Sequence, residues 1–311
     1  MKKYMINAHV NTLDIESIQQ LGKLELIAKH VVEGFITGLH KSPFHGFSVE
    51  FAEHRSYNTG ESTKHIDWKL YARTDRLYVK KYEEETNLRC QILLDNSSSM
   101  YFPDKNYNKL QFSIYAIASL IHLLKKQRDA TGLTVFSEKI EDSFVAKSSH
   151  AHIQLLFNQL QKNLDNGEKN KKTATAQALH SIAENIHKRS LVVIFSDMFD
   201  NMNNEDAFFE GLQHLKYKKN EVILFHVLDK KKEIEFDYKN RPYRFIDLET
   251  NEKIDLFPGE IRKDYIMQFE NFRNKLKLKC NQYHIDYVEA DINKGFFSVL
   301  QSYLVKRAKM F

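Results

Sequence analysis

Gln91-Ile92-Leu93-Leu94-Asp95-Asn96-Ser97-Ser98-Ser99-Met100 sets a short, almost wholly apolar run directly ahead of an acid and a series of hydroxyls. A run of this length without polar alternation is the pattern of a strand covered on both faces, as in a parallel sheet. Further runs of the same kind fall at 133–136, 191–195, 222–228 and 285–288. Apolar residues at helical spacing lie between them. Leu110, Ile114, Ile117, Leu120, Ile121 and Leu124 mark 108–128; Ala178, Leu179, Ile182, Ala183 and Ile186 mark 174–188; Ile261, Tyr265, Phe269, Phe272 and Leu276 mark 260–279. Alternation of strand and helix predicts an α/β fold, a doubly wound and mainly parallel sheet with helices on both faces.

The chain upstream of this pattern reads differently. Leu21, Leu24, Ile27, Ala28, Val31, Val32 and Phe35 predict a helix over 14–40 that fades at Gly38. Residues 43–88 carry turn-rich polar segments and an alternating stretch around Leu77 to Tyr82, the pattern of a small β-rich module. The expected organisation is an N-terminal helix and β-rich module at 1–87 and the α/β domain at 88–311, with a hairpin insertion near 233–258.

Composition narrows the function classes. Hydrophobic residues at 42% and charged residues at 28% of 311 are ordinary for a folded globular chain and argue against disorder. The excess of 46 lysines and arginines over 41 acids is mild, and the lysines are scattered in pairs and triplets, so a solvated surface is expected rather than a nucleic-acid groove. Cys90 and Cys280 alone make neither a zinc site nor a disulfide scaffold, and both sit where buried, inert thiols are expected. With no apolar run of membrane-spanning length and no signal-peptide pattern, the expectation is a cytoplasmic protein without a membrane span.

Several strands end in a short polar residue: Asp95, Ser137, Ser196-Asp197, Asp229 and Asp291. In an open parallel sheet that edge is where ligands bind. Ser137, Asp229 and Asp291 read as caps of the helix or turn after each strand. Asp95, Ser97 and Ser99, at i, i+2 and i+4, can converge on one point in a curled loop. One or two carboxylates with neutral hydroxyls are what Mg²⁺ takes while keeping waters. The competing reading is a serine-rich helix cap. Thr173 opens Thr-Ala-Thr-Ala-Gln-Ala-Leu ahead of a helix, and Asp197 ends another buried strand.

These three segments, in this order, resemble the metal-ion-dependent adhesion site of von Willebrand A domains. The resemblance implies a Mg²⁺ or Mn²⁺ site formed by Asp95, Ser97, Ser99, Thr173 and Asp197, the aspartates acting largely through waters and the serines directly. Ser196-Asp197-Met198 departs from the Thr-Asp-Gly of many relatives and leaves the carboxylate in place. His54-Arg55-x-Tyr57, Gly60-Glu61, Ile66-Asp67-Trp68, Ala72-Arg73 and Val79-Lys80-x-Tyr82 resemble the block that precedes such a domain in domain-of-unknown-function family 58. Glu61 stands where Asp is usual.

The resemblance implies a non-enzymatic module that captures a partner carboxylate through the metal. It also implies a MoxR-type AAA+ ATPase, or that enzyme's substrate, as partner. The chain has no Gly-x-x-x-x-Gly-Lys-[Ser/Thr] loop, so the ATPase would be a separate protein. Two alternatives stay open: a Mg²⁺-dependent hydrolase using the same carboxylates, and a basic nucleic-acid binder. Pairing of His65 or His54 with Asp67 is read as less apt than Trp68 packing, with Asp67 and Arg73 as pair or cap. His150 and His152 read as a solvated loop.

Overall fold

The computed structural model describes residues 24–40, 54–56, 68–80, 88–103, 107–165, 175–198, 205–248, 252–295 and 297–310. The chain forms two compact units, one of residues 36–87 and one of 1–35 with 88–311. In the smaller unit, β1 (His54–Ser56) pairs antiparallel with β2 (Tyr78–Lys80), and α2 (Trp68–Thr74) lies between them in sequence. Trp68 packs edge-on against Tyr71 and is otherwise 59% exposed. His65 and Asp67 lie outside the described residues.

The larger unit is built on a six-stranded sheet ordered β10-β7-β6-β3-β4-β5. Its strands are β3 (Arg89–Asp95), β4 (Ala130–Phe136), β5 (Ile140–Lys147), β6 (Leu191–Ser196), β7 (Glu221–Leu228) and β10 (Asp286–Asp291). Every pairing is parallel except β4 with β5. This is a mostly parallel α/β architecture. The central strands are apolar throughout because both faces are covered. Leu93, Val192, Ile194, Val222 and Leu224 turn to one face, where they meet α5 (Thr175–Asn185), α6 (Glu205–Tyr217) and α7 (Pro258–Gln282). Successive strand residues point oppositely, so Ile92, Leu94, Val193, Phe195, Ile223 and Phe225 form the other face. There α3 (Lys109–Lys126) runs buried over most of its length.

The remaining elements fit around that frame. The helix α4 (His150–Asp165) packs on α3 and on the β4–β5 edge, and α8 (Phe297–Met310) packs on α3 and β10. Helix α4 corrects the loop expected at His150 and His152: both open the helix, and the His152 ring shares a 2.9 Å hydrogen bond with the Thr131 carbonyl. A hairpin of β8 (Tyr243–Ile246) and β9 (Lys253–Leu256) is inserted between β7 and α7. Cys90 and Cys280 are buried, and burial pushes both thiols up, Cys280 to about 12. No helix among the described residues is long and apolar enough to cross a membrane.

The helix α1 (Leu24–His40) contributes buried Leu24, Ile27, Ala28, Val32 and Phe35 to this unit. Its Glu25 meets Lys125 of α3 at 3.1 Å. His122, one turn earlier on α3, is buried with neither ring nitrogen hydrogen-bonded. Burial first, then the charges of Lys126 and Lys125, lower its pKa; Glu25 and Glu33 offset this only in part. The unfolded chain therefore takes up this proton more readily than the folded one. Stability from His122 is present above the ordinary imidazole pKa of 6.5 and lost as pH falls below it. His122→Leu is expected to weaken the loss of stability on acidification. Urea unfolding midpoints at about pH 7.5 and about pH 5 check this; an unchanged pH dependence contradicts it.

Candidate metal site at the carboxyl edge of the sheet

β3 and β6 are parallel neighbours with Leu94 opposite Phe195, so their last residues arrive side by side. Asp95 ends β3, and Ser196-Asp197 ends β6 and begins the turn after it. The Ser196 hydroxyl donates to Asp95 Oδ2 at 2.5 Å, and the Ser97 N–H donates to Asp95 Oδ1 at 2.9 Å. Asp95 is only 1% exposed. Burial raises its pKa and the neighbouring Asp197 carboxylate raises it further; the bonds from Ser196 and Ser97 offset this in part, leaving it at about 7. Two buried carboxylates that repel each other at one sheet edge are a place where a cation lowers the energy of the fold.

The serines are arranged for more than capping. Ser97 is the N-cap of a 3₁₀ turn, Ser98–Tyr101, yet its side chain makes no cap bond. Its Oγ lies 3.1 Å from Ser99 Oγ instead. Adjacent ligands of an octahedral Mg²⁺, each at about 2.1 Å, lie about 3 Å apart. Two hydroxyls at this separation beside two carboxylates therefore fit the donor set of a hard divalent ion. Among the described residues no group of three or more His, Cys, Asp or Glu comes together to hold a metal. Any ion here would rest on the serines as well as the aspartates.

The structure thus brings Asp95, Ser97, Ser99 and Asp197 to one edge, whereas Thr173 lies outside the described residues. Met198 has φ +60° with its side chain buried in the core under α5 and α6. That left-handed backbone is the one glycine adopts freely, so methionine is held there against its backbone preference. The other strand-end residues do local work. Asp229 caps the π-helical turn Lys230–Ile234 by accepting from the N–H groups of Lys231 and Lys232, and Asp291 accepts from Asn293 N–H. Ser137 does not cap but donates to Glu141, which also accepts from Asn96 at the loop beside Ser97.

Sequence reading missed the charges behind the aspartates. Lys109 Nζ, 1% exposed, donates to Asp197 Oδ2 at 2.6 Å and to Glu233 Oε1 at 2.7 Å. Glu233 Oε2 accepts from the Asp229 N–H at 2.6 Å. His226, buried on β7, meets the Asp197 carbonyl through Nε2 and the Tyr287 hydroxyl through Nδ1; burial lowers its pKa to about 4 despite Asp197. One signal for Lys109 was available. Asn108 and Gln111 form a capping box, which makes Lys109 the first residue of α3, an unfavourable place for a cation unless acids face it.

A model of the family described as protein of unknown function DUF58 matches residues 53–275, a span covering β1 to β9 and most of α7. The chain belongs to that family. Among curated relatives, Uncharacterized protein Rv1480 of Mycobacterium tuberculosis and Uncharacterized protein Mb1516 of Mycobacterium bovis are each 22% identical over 209 residues. That alignment covers 67% of this chain and 64% of theirs, so the chain spans less than two thirds of their length. Similar solved structures include BatB from Bacteroides thetaiotaomicron, 16% identical, covering 71% of this chain and 99% of that one at a TM-score of 0.44. An aerotolerance-related membrane protein from Bacteroides fragilis is 14% identical, covering 72% and 100% at 0.44. The SpRpn10 VWA domain is 11% identical, covering 68% and 93% at 0.37. Likeness at this level says nothing about the site.

Proposed function

We propose that this chain is a protein-binding module that works through a divalent ion, Mg²⁺ or Mn²⁺, held by Asp95, Ser97, Ser99, Asp197 and Thr173. The observation that carries the reading is the pair of mutually repelling, buried carboxylates beside two hydroxyls 3.1 Å apart. A bound ion would supply positive charge that a partner's Asp or Glu side chain seeks in a partly dehydrated setting. The protein's own part is to hold the hydroxyls together and to bury the carboxylates so that water does not screen them.

The reading gives the chain no catalytic step. His226 is spent on the Asp197 carbonyl and on Tyr287, and the Ser97 hydroxyl is shared between Ser99 and the Asp95 carboxylate, with no histidine bonded to it among the described residues. By its family resemblance the partner is a MoxR-type AAA+ ATPase or that enzyme's substrate, met in the cytoplasm. Pull-down from native lysate with Mg²⁺ or with EDTA, using wild type and Asp95→Ala, tests this. A partner retained only by wild type in Mg²⁺ is the expected result, and identification of an AAA+ ATPase there supports the partner assignment. The same partners in all four conditions would place the binding surface elsewhere.

A further inference from the structure

Lys109 and Glu233 stand behind the site aspartates, on elements far from the serine loop in sequence. Lys109 begins α3, so its ammonium faces the positive end of that helix's dipole without water around it. What holds it there is the pair of carboxylates at 2.6 and 2.7 Å. Burial works against its charge, but Asp197 and Glu233 outweigh burial and raise its pKa above the ordinary lysine value. Glu233 is itself fastened by the Asp229 N–H, at the start of the turn that leads into the β8–β9 hairpin. Two buried acids, Asp197 and Glu233, thus share one buried base, and the Asp95 carboxylate is buried within reach of the Asp197 charge.

We propose that Lys109 and Glu233 are positioning residues that set the charge presented to the divalent ion, acting through Asp197 with opposite signs. The proposal rests on the divalent-site reading above. Lys109 opposes the ion twice, by its own charge and by holding Asp197 Oδ2 in an ion pair. Glu233 counters it by sharing the ammonium and drawing it back from Asp197. Without the lysine charge, ion binding tightens while the ion-free fold weakens, because buried acids lose their counter-ion. Without the glutamate charge, the ammonium is drawn more strongly to Asp197 and ion binding weakens. Residues that only support the fold would shift affinity in the same direction.

The experiment is calorimetric titration of the full chain with Mn²⁺, and thermal unfolding with and without Mn²⁺, for wild type, Lys109→Met, Glu233→Gln and Asp95→Ala. Lys109→Met should bind about tenfold more tightly, and Glu233→Gln about tenfold more weakly. Lys109→Met should also unfold at a lower temperature without the ion and show a larger rise with it than wild type. Wild-type binding with both variants shifted the same way, or both within about twofold of wild type, overturns the proposal. Should Lys109→Met fail to fold, Glu233→Gln decides alone, and equal or tighter binding by it overturns the proposal. If wild type takes up no Mn²⁺ and Asp95→Ala changes nothing, the divalent-site reading itself falls and this proposal with it.

Discussion

Gly132→Ala is expected to destabilise the larger unit by about 3 kcal/mol, the upper end of what overpacking costs. Gly132 sits on β4 opposite Gln91 of β3. The Gln91 side chain crosses over it, donating to Thr134 Oγ1 at 3.0 Å and to the Phe144 carbonyl of β5 at 3.2 Å, so one amide ties three strands. A methyl group at position 132 would overlap the Gln91 amide oxygen. It would also lie 2.6 Å from the Phe144 carbonyl oxygen and 2.8 Å from the Ala146 nitrogen. A side chain can swing away, but two backbone atoms can retreat only if β5 moves. The β4–β5 ladder already shifts register between Thr131 and Leu133, at this residue, as glycine in a strand often signals. Chemical denaturation of Gly132→Ala and of Gln91→Ala/Gly132→Ala measures the effect. The double variant should stay well below wild type because the backbone overlap remains. A single variant within about 0.5 kcal/mol of wild type would contradict this account.

The same corner shows what sequence pattern conveys and what it does not. β3, β4, β6 and β7 were legible because burial on both faces leaves no polar alternation, and their neighbours' helical spacing fixed the fold class. β5 was not legible. As the antiparallel edge it is half exposed, and Ile140-Glu141-Asp142-Ser143-Phe144-Val145-Ala146-Lys147 mixes charges with apolar residues. Helix α4 buries only Ile153, Leu156, Phe157 and Leu160, so its histidine-bearing first turn reads as loop.

At the site, the division follows distance along the chain. Asp95, Ser97 and Ser99 declare themselves because their spacing is local. Lys109 reaches Asp197 across 88 positions and Glu233 across 124, and a lysine at a helix start looks like any solvated lysine until those partners are placed. Trp68 shows the limit from the other side: an aromatic residue in a specific block reads as packing, and its edge-on contact with Tyr71 still leaves it 59% exposed.

Arg307→Ala should cost about 3–5 kcal/mol, the loss expected when one partner of a buried ion pair is removed. Arg307, on α8, pairs through its NH1 with Asp129, whose side chain is 1% exposed. Asp129 also accepts from the Leu88 N–H at 3.2 Å, just before β3 begins. Gln127 Oε1 accepts from both Arg307 at 2.8 Å and the Tyr303 hydroxyl at 2.9 Å. The cluster thus ties α8 to the amino ends of β3 and β4, at the opposite end of β3 from Asp95. Truncating Arg307 leaves the Asp129 carboxylate buried without its cation, and the surrounding amides and hydroxyl are too weak to replace a full charge. Asp129→Asn/Arg307→Met removes both charges, while the amide oxygen put in place of the carboxylate can still accept from Leu88. It should recover at least half of the loss, because the cost comes from the stranded charge rather than from the absent bridge. Equilibrium unfolding of the two single variants and the double closes the cycle. Losses that simply add would show that the pair is not coupled, and that packing of the arginine stem accounts for the effect.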